Sequence, residues 1–217
     1  MAAARVLRWS PAAAFVVRKV ILSRHGSTKW NSKSDPSKEK VRGWVDLPLN
    51  DMGRMESQKT AEQLKKVPGV GFIISSDLKR SVETAMMFHK TTGLPYLGPT
   101  PAFRPWNLGK FQGMESVKAA PYITEYAQNK PHIPVPQGEA FHDFERRFFT
   151  GLRHLLTSHQ ELPCIVTHYR CFCMVEAWQL AGSRPDGSID HVSFCKKNNH
   201  PAGHLKEYDV DVERLPQ

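Results

Sequence analysis

An arginine, a histidine and a glycine stand together directly after a short apolar run near the start of the chain, as Arg24-His25-Gly26. A neutral histidine ring can attack phosphorus when its other ring nitrogen is held by a carbonyl or carboxylate group. The arginine beside it offers a planar fork of donors that matches phosphate oxygens, and the glycine lets a phosphate group approach the backbone. The tripeptide indicates phosphoryl transfer with His25 as the nucleophile, although taken alone it is equally compatible with a structural histidine.

Apolar runs alternate with longer segments of helical character along the chain. Three runs have the length and composition of buried strands, at 19–23, 71–76 and 163–167. Helices are predicted over about 50–66, 79–91, 119–129, 139–158 and 169–180, with a possible last strand at 204–210 and an ordered loop at 99–113. This alternation predicts an α/β fold, a three-layer α/β/α sandwich with a mostly parallel central sheet.

Polar clusters follow each of the three predicted buried strands. They are Arg24 with His25, the segment 75–80, and His168. Because ligands of parallel α/β sheets bind outside the carboxyl ends of the strands, these clusters are expected to meet at one edge of the sheet.

The composition bounds the domain organisation and the partners. A chain of 217 residues suits one domain, predicted over 18–217, behind an N-terminal extension at 1–17. The net charge of +9 favours an anionic partner. There is no basic run of five residues, zinc-finger spacing or RNA-binding motif, so a small phosphorylated substrate is predicted rather than dedicated nucleic-acid binding. No apolar stretch is long enough to span a membrane.

The cysteines and the N-terminus bear on the compartment. The four cysteines form no C-x-x-C pair, which favours reduced thiols in a cytoplasmic protein. The first 34 residues hold seven Lys or Arg and no Asp or Glu, so an organelle transit peptide is the alternative.

Four motifs, in order and spacing, resemble the phosphoglycerate-mutase-like branch of the histidine phosphatase superfamily. They are 24–31 (RHGSTKWN), 42–50 (RGWVDLPLN), 75–85 (SSDLKRSVETA) and 166–170 (VTHYR). The resemblance covers roughly residues 18 to 210. It implies hydrolysis of a phosphate monoester through a phosphohistidine intermediate, with no metal or other cofactor.

The resemblance also implies roles for single residues. His25 is expected to become phosphohistidine, and Arg24 and Arg80 are expected to clamp the phosphoryl group. His168 is expected to donate to a phosphoryl oxygen and stabilise the developing charge. Two further positions, Thr28 and Asn31, match phosphate-contacting residues of the first loop.

One departure from the family pattern concerns the proton donor. Family members usually carry a glutamate within a Leu-Arg-Glu segment, and here the matching segment 103–113 (FRPWNLGKFQG) has Pro105 at that position. Either another acid serves or the substrate has a good leaving group. Glu139 is the first substitute, with Glu83 and Glu115 next, although Glu139 can equally be a helix-start residue favoured by the dipole.

Other residues leave open alternatives. Aromatic side chains of the loop either line the substrate mouth or anchor the loop by packing; they are Phe103, Trp106 and Phe111. Four further histidines lack metal-ligand spacing, namely His132, His142, His154 and His159. Two rivals to hydrolysis remain: a phosphoglycerate-type mutase, and a non-catalytic module that binds phosphorylated or nucleic-acid ligands.

Overall fold

The structure is a computed structural model, and it describes residues 16–32, 35–183, 189–196 and 199–216. The strands are β1 (Val17–Arg24), β2 (Val70–Ser76), β3 (Tyr96–Thr100), β4 (Leu162–Thr167) and β5 (Leu205–Asp211). The helices are α1 (Asp51–Leu64), α2 (Lys79–Thr92), α3 (Ser116–Gln128), α4 (Phe141–Ser158), α5 (Tyr169–Leu180) and α6 (His191–Cys195). None of the helices within these ranges is long and apolar enough to cross a membrane.

The strands form one sheet in the order β3-β2-β4-β1-β5. The first four strands in this order run parallel, and β5 pairs antiparallel with β1 at the edge. The prediction of an α/β fold with a mostly parallel central sheet is confirmed.

Successive side chains along the inner strands point to opposite faces of the sheet, so these strands contribute to a hydrophobic core on each face. Ile21, Ile73 and Cys164 face α1 and α2, in a cluster that includes Ala61 and Phe88. Their sequence neighbours on the strands face the other way and join the larger core built on the four remaining helices. Helices therefore cover both faces, and the sheet lies between two layers.

Two elements differ from the sequence prediction. Strand β3 occupies Tyr96–Thr100, where no strand is predicted and the ordered loop is expected to begin at residue 99, since its glycine and proline make it a poor strand by propensity. It is nevertheless held at the sheet edge by pairing with β2. The short helix α6 is not predicted, and its Asp190 cap accepts from two backbone N–H groups. The predicted N-terminal extension lies outside the described residues as far as residue 15.

Candidate active site

The carboxyl ends of β1, β4 and β2 bring the predicted polar clusters together. Arg24 pairs with Thr167 across β1 and β4, and the backbone N–H of His25 donates to the carbonyl of Thr167 at 3.0 Å. The ring centroids of His25 and His168 are consequently 5.1 Å apart. Arg80, in the first turn of α2, joins them, and all four side chains line one cavity of about 560 Å³.

Two hydrogen bonds define the tautomer of His25. Nδ1 lies 2.7 Å from the carbonyl oxygen of Gly26, and because a carbonyl only accepts, Nδ1 carries the proton. Nε2 therefore keeps its lone pair, and Nε of Arg80 donates to it at 3.2 Å. The ring is 2 % exposed, so its orientation is well restrained. This is the carbonyl contact that a nucleophilic histidine requires.

Arg80 is fixed by the loop that follows the second motif. Its Nη1 donates to the carbonyl of Val45 and its Nη2 to the carbonyl of Gly43, each at 2.8 Å. Both acceptors are neutral, so the guanidinium keeps its full charge beside His25.

Arg24 is the second buried cation beside the nucleophile. Its Nη1 donates to the carbonyl of His200, and its guanidinium lies over the ring of Tyr169, 5.4 Å from the centroid. Its Nε is buried with no hydrogen-bond partner in the described part of the chain. Neither Arg24 nor Arg80 forms a salt bridge with a described carboxylate, which leaves two positive charges for an anionic ligand.

A third guanidinium, that of Arg42, lines the same cavity. Its Nη2 donates to Glu39 at 2.9 Å, and its Nη1 is buried with no partner among the described residues. Sequence reasoning quoted the motif that contains Arg42 but gave this residue no role. A role for Arg42 could have been predicted from its position directly before Gly43, because an arginine and a glycine also flank His25.

Positive charge and burial control the titration of the site. Burial, then the charges of Arg80, Arg24 and Arg42, hold the pKa of His25 well below its usual value. The pKa of His168 is lowered in the same way, by burial and then by Arg80. Both rings are therefore neutral at pH 7 in the ligand-free protein. Burial and Arg42 lower the pKa of Arg80 to about 9, which still leaves it protonated at neutral pH.

His168 is poised to donate from its ring. Its Nε2 lies 3.4 Å from Oγ of Ser81, and its Nδ1 is buried with no partner in the described ranges. The pKa of this ring is lowered first by burial and then by the surrounding cations, and a bound phosphate dianion would favour the protonated form by offsetting the charge of those cations.

Pro105 lines the cavity at the position where the family has its glutamate. Its carbonyl accepts from Nε1 of Trp44 at 2.7 Å and from Nη2 of Arg147 at 3.3 Å. The ring of Trp44 also lies against the guanidinium of Arg104, 4.5 Å from the centroid. This segment is thus a fixed wall of the cavity, without an acidic side chain.

Glu139, the first candidate for the acid, is not among the residues that line the cavity. Its Oε1 accepts from the backbone N–H of Asn107 and from Nη2 of Arg147, each at 2.8 Å. Its carbonyl also accepts from Nε1 of Trp106 at 3.0 Å. The carboxylate therefore holds the wall segment in place, and the structure assigns it no contact with a ligand.

We expect Glu139→Gln to lower the free energy of unfolding by about 1–3 kcal/mol, because the amide loses the charge that faces partly buried Arg147. Urea unfolding measures this, and Asp143→Asn is the control, since its ion pair with Arg146 on the same helix is exposed and worth only about 0–1 kcal/mol. If Glu139→Gln instead keeps full stability and slows alkyl esters by about 10²–10⁴-fold, Glu139 is the acid after all.

The two other proposed acids are also occupied outside the cavity. Glu83 accepts from the backbone N–H of Leu49 at 2.9 Å, and Glu115 forms an ion pair with Lys118 at 2.7 Å. Glu39 is the one carboxylate among the described residues that line the cavity.

Thr28 and Asn31 support the site from behind it. Oδ1 of Asn31 accepts from the backbone N–H of Thr28 at 2.9 Å, and Nδ2 of Asn31 donates to Glu39 at 3.1 Å. Neither predicted phosphate ligand lines the cavity; the two connect the first loop to Arg42 through Glu39.

Two local predictions are revised by the packing. A Cβ on Gly26 would overlap the carbonyl oxygen of Gly53, so Gly26 is needed for close packing against α1. Of the three loop aromatics, Trp106 lines the cavity, whereas Phe103 and Phe111 pack elsewhere.

The four histidines that lack metal-ligand spacing lie outside the cavity. The rings of His132 and His142 stack 4.0 Å apart, His159 packs on Phe72, and His154 is exposed. Over the residues that the structure describes, no group of three or more His, Cys, Asp or Glu side chains is arranged to hold a metal ion.

A buried histidine surrounded by arginines at the carboxyl edge of a mostly parallel sheet is the arrangement that the sequence motifs predict. The model of the histidine phosphatase superfamily (branch 1) matches residues 20–189. The chain belongs to this superfamily.

Relatives and solved structures agree with this assignment. The chain is 31% identical over 156 residues to phosphoglycerate mutase-like protein 4 of Arabidopsis thaliana, an alignment that covers 69% of this chain and 66% of that protein. It is 31% identical over 159 residues to the metal-independent phosphoserine phosphatase of the same plant, covering 70% and 64%. These alignments span just under two thirds of each relative. The mycobacterial glucosyl-3-phosphoglycerate phosphatase has the same fold, with a TM-score of 0.71 at 22% identity over 92% of this chain and 95% of that one.

Proposed function

We propose that this chain hydrolyses phosphate monoesters in two steps through a phosphohistidine at His25. The observation that supports this most directly is the lone pair on Nε2 of His25, which faces the same cavity as three guanidinium groups. A phosphate dianion fits such a site because it neutralises the buried positive charges of Arg24 and Arg80, which lack carboxylate partners among the described residues.

In the first step, the lone pair of Nε2 attacks phosphorus while the bond from phosphorus to the alcohol oxygen breaks. The alcohol leaves with that electron pair and takes up a proton. Arg24, Arg42 and Arg80 bind the phosphoryl oxygens, and His168 donates to one of them as charge develops.

In the second step, water attacks phosphorus, the nitrogen–phosphorus bond breaks, and its electron pair returns to Nε2. The neutral form of His25 is thereby restored, and inorganic phosphate carries away the charge. The side chains named supply the donors for both steps, so no metal is required in this proposal. Because the cysteines are free, we also propose a cytoplasmic location.

The relative named as mutase-like makes the mutase the rival activity. A mutase must protonate alkoxide leaving groups efficiently and retain its substrate between two transfers. Pro105 supplies no proton, and Glu139 is engaged by Arg147, which favours hydrolysis.

Offered 3-phosphoglycerate with a bisphosphoglycerate primer in the presence of EDTA, the protein is expected to release inorganic phosphate faster than it forms the 2-isomer. A phosphate assay and a chromatographic separation of the 2- and 3-isomers from the same sample measure the two rates. Rapid isomerisation with little phosphate release would make the chain a mutase. Loss of activity in EDTA that magnesium or zinc restores would place it in a metal-dependent class.

A further inference from the structure

The cavity is larger and more apolar than a phosphate group requires. At about 560 Å³ it has the size of sites that enclose a small organic molecule. The three arginines and two histidines occupy the end built on the strand termini. The remaining lining comes from residues 37–43, the wall segment, α3, the beginning of α5, and residues 195 and 199–201. It includes the charged side chains of Lys40 and Arg170, and six apolar ones: Val41, Trp106, Leu108, Val117, Ala120 and Ile123.

Helix α3 turns one apolar face toward this cavity. Val117, Ala120 and Ile123 recur every three residues and therefore lie on one side of the helix. Val117 is 58% exposed and Ala120 is also exposed, whereas Ile123 is buried in the core, so the open part of this face is formed by Val117 and Ala120. A small polar alcohol such as glycerate would leave this apolar face exposed to water, whereas an apolar aromatic ring would cover it.

The side chains that line the cavity favour a leaving group that can depart without being protonated by an acid. The carboxylate that lines it, that of Glu39, accepts from Nη2 of Arg42 and from Nδ2 of Asn31. Both contacts use Oε1 of Glu39 as an acceptor, so this carboxylate is engaged by donors of the protein and not by a leaving oxygen. A phenolic oxygen leaves as a stable anion, unlike an alkoxide.

We infer that the substrates of this site are aryl phosphates, monoesters in which the phosphoryl group is carried by the oxygen of an apolar aromatic ring. The inference rests on the proposed phosphatase activity and names the alcohol that the cavity accepts. The ring lies against the exposed part of α3 formed by Val117 and Ala120, while the phosphoryl group lies among the arginines. The bond from phosphorus to the phenolic oxygen breaks as Nε2 of His25 attacks, and the phenolate leaves with the electron pair.

Three esters test the apolar contact and the leaving-group requirement separately. Phenyl phosphate has an apolar ring and a good leaving group, benzyl phosphate has a similar ring and a poor leaving group, and glycerol 1-phosphate has neither. We expect kcat/KM to fall in that order, by about 10²-fold or more at the first step, where protonation matters. A further fall of about 10-fold is expected at the second step, where the apolar contact is lost. Benzyl phosphate hydrolysed as fast as phenyl phosphate, or glycerol phosphate as fast as benzyl phosphate, overturns the inference.

A matched pair of variants locates the apolar contact. Val117→Asn places an amide on the exposed face of α3, and Val192→Asn does the same on α6, at a valine that is 56% exposed and is not a lining residue. We expect Val117→Asn to reduce the preference for benzyl phosphate over glycerol phosphate by about 3–10-fold, and Val192→Asn to retain it. An equal preference in both variants contradicts the assignment of α3 as the ring-binding face.

The outcome for the substrate class is distinct from the outcome for the activity itself. Phosphate release that is absent for all three esters, or that survives His25→Ala, contradicts the proposed phosphatase. Release that depends on His25 but favours glycerol phosphate contradicts the aryl inference alone.

Discussion

A His25→Ala variant is expected to hydrolyse para-nitrophenyl phosphate about 10⁴-fold more slowly than the unaltered chain, measured as kcat/KM. Alanine removes the nitrogen that attacks phosphorus and leaves Arg24, Arg80 and His168 in place. The variant is therefore expected to retain binding of inorganic phosphate in calorimetry. Retained binding with lost turnover separates a catalytic nucleophile from a residue that only holds the ligand.

Three measurements keep this prediction testable. His154→Ala is the matched control, because this histidine is exposed on α4, and it is expected to change kcat/KM less than about twofold. Thermal unfolding of His25→Ala and His25→Asn reports whether the buried site tolerates the change. With labelled ester, an alkaline denaturing quench should trap a base-stable, acid-labile phosphoenzyme in the unaltered chain only. If His25→Ala keeps more than about a tenth of the activity, His25 is not the nucleophile.

Arg80→Ala is expected to lower kcat/KM by about 10³-fold or more, because one guanidinium contacts Nε2 of His25 and lies where the phosphoryl oxygens must bind. Arg80→Lys keeps the charge but cannot reach Gly43, Val45 and the substrate together, so it should recover only part of this loss. Arg54→Lys is the control, since this arginine lies in the first turn of α1 and is half exposed.

The pH profile distinguishes this electrostatic role from a structural one. The charge of Arg80 is the second cause, after burial, that holds the pKa of His25 low. Removing it raises that pKa, so the acid limb of kcat/KM should move to higher pH in Arg80→Ala and stay in place in Arg80→Lys. An unmoved acid limb in Arg80→Ala, with normal stability, would show that the two side chains do not interact in solution.

The sequence by itself determined the sheet and the edge at which the site forms. The apolar runs that become β1, β2 and β4 are long enough to be buried on both sides, and such strands are placed parallel by the helices between them. Histidines that follow two of these runs must then lie side by side at the carboxyl edge. His25 and His168 were therefore predictable from local pattern and strand order.

Only the tertiary structure decided which loop residues line the cavity. Glu139 lies 32 residues from Asn107, and its contact with that residue and with Arg147 removes it from the cavity. Arg42 lines the cavity, whereas Thr28 and Asn31 do not, because separate loops pack on the same strand ends. Propensity and periodicity act over a few neighbouring residues, whereas these pairings depend on which distant backbone groups the folded loops bring within hydrogen-bond distance.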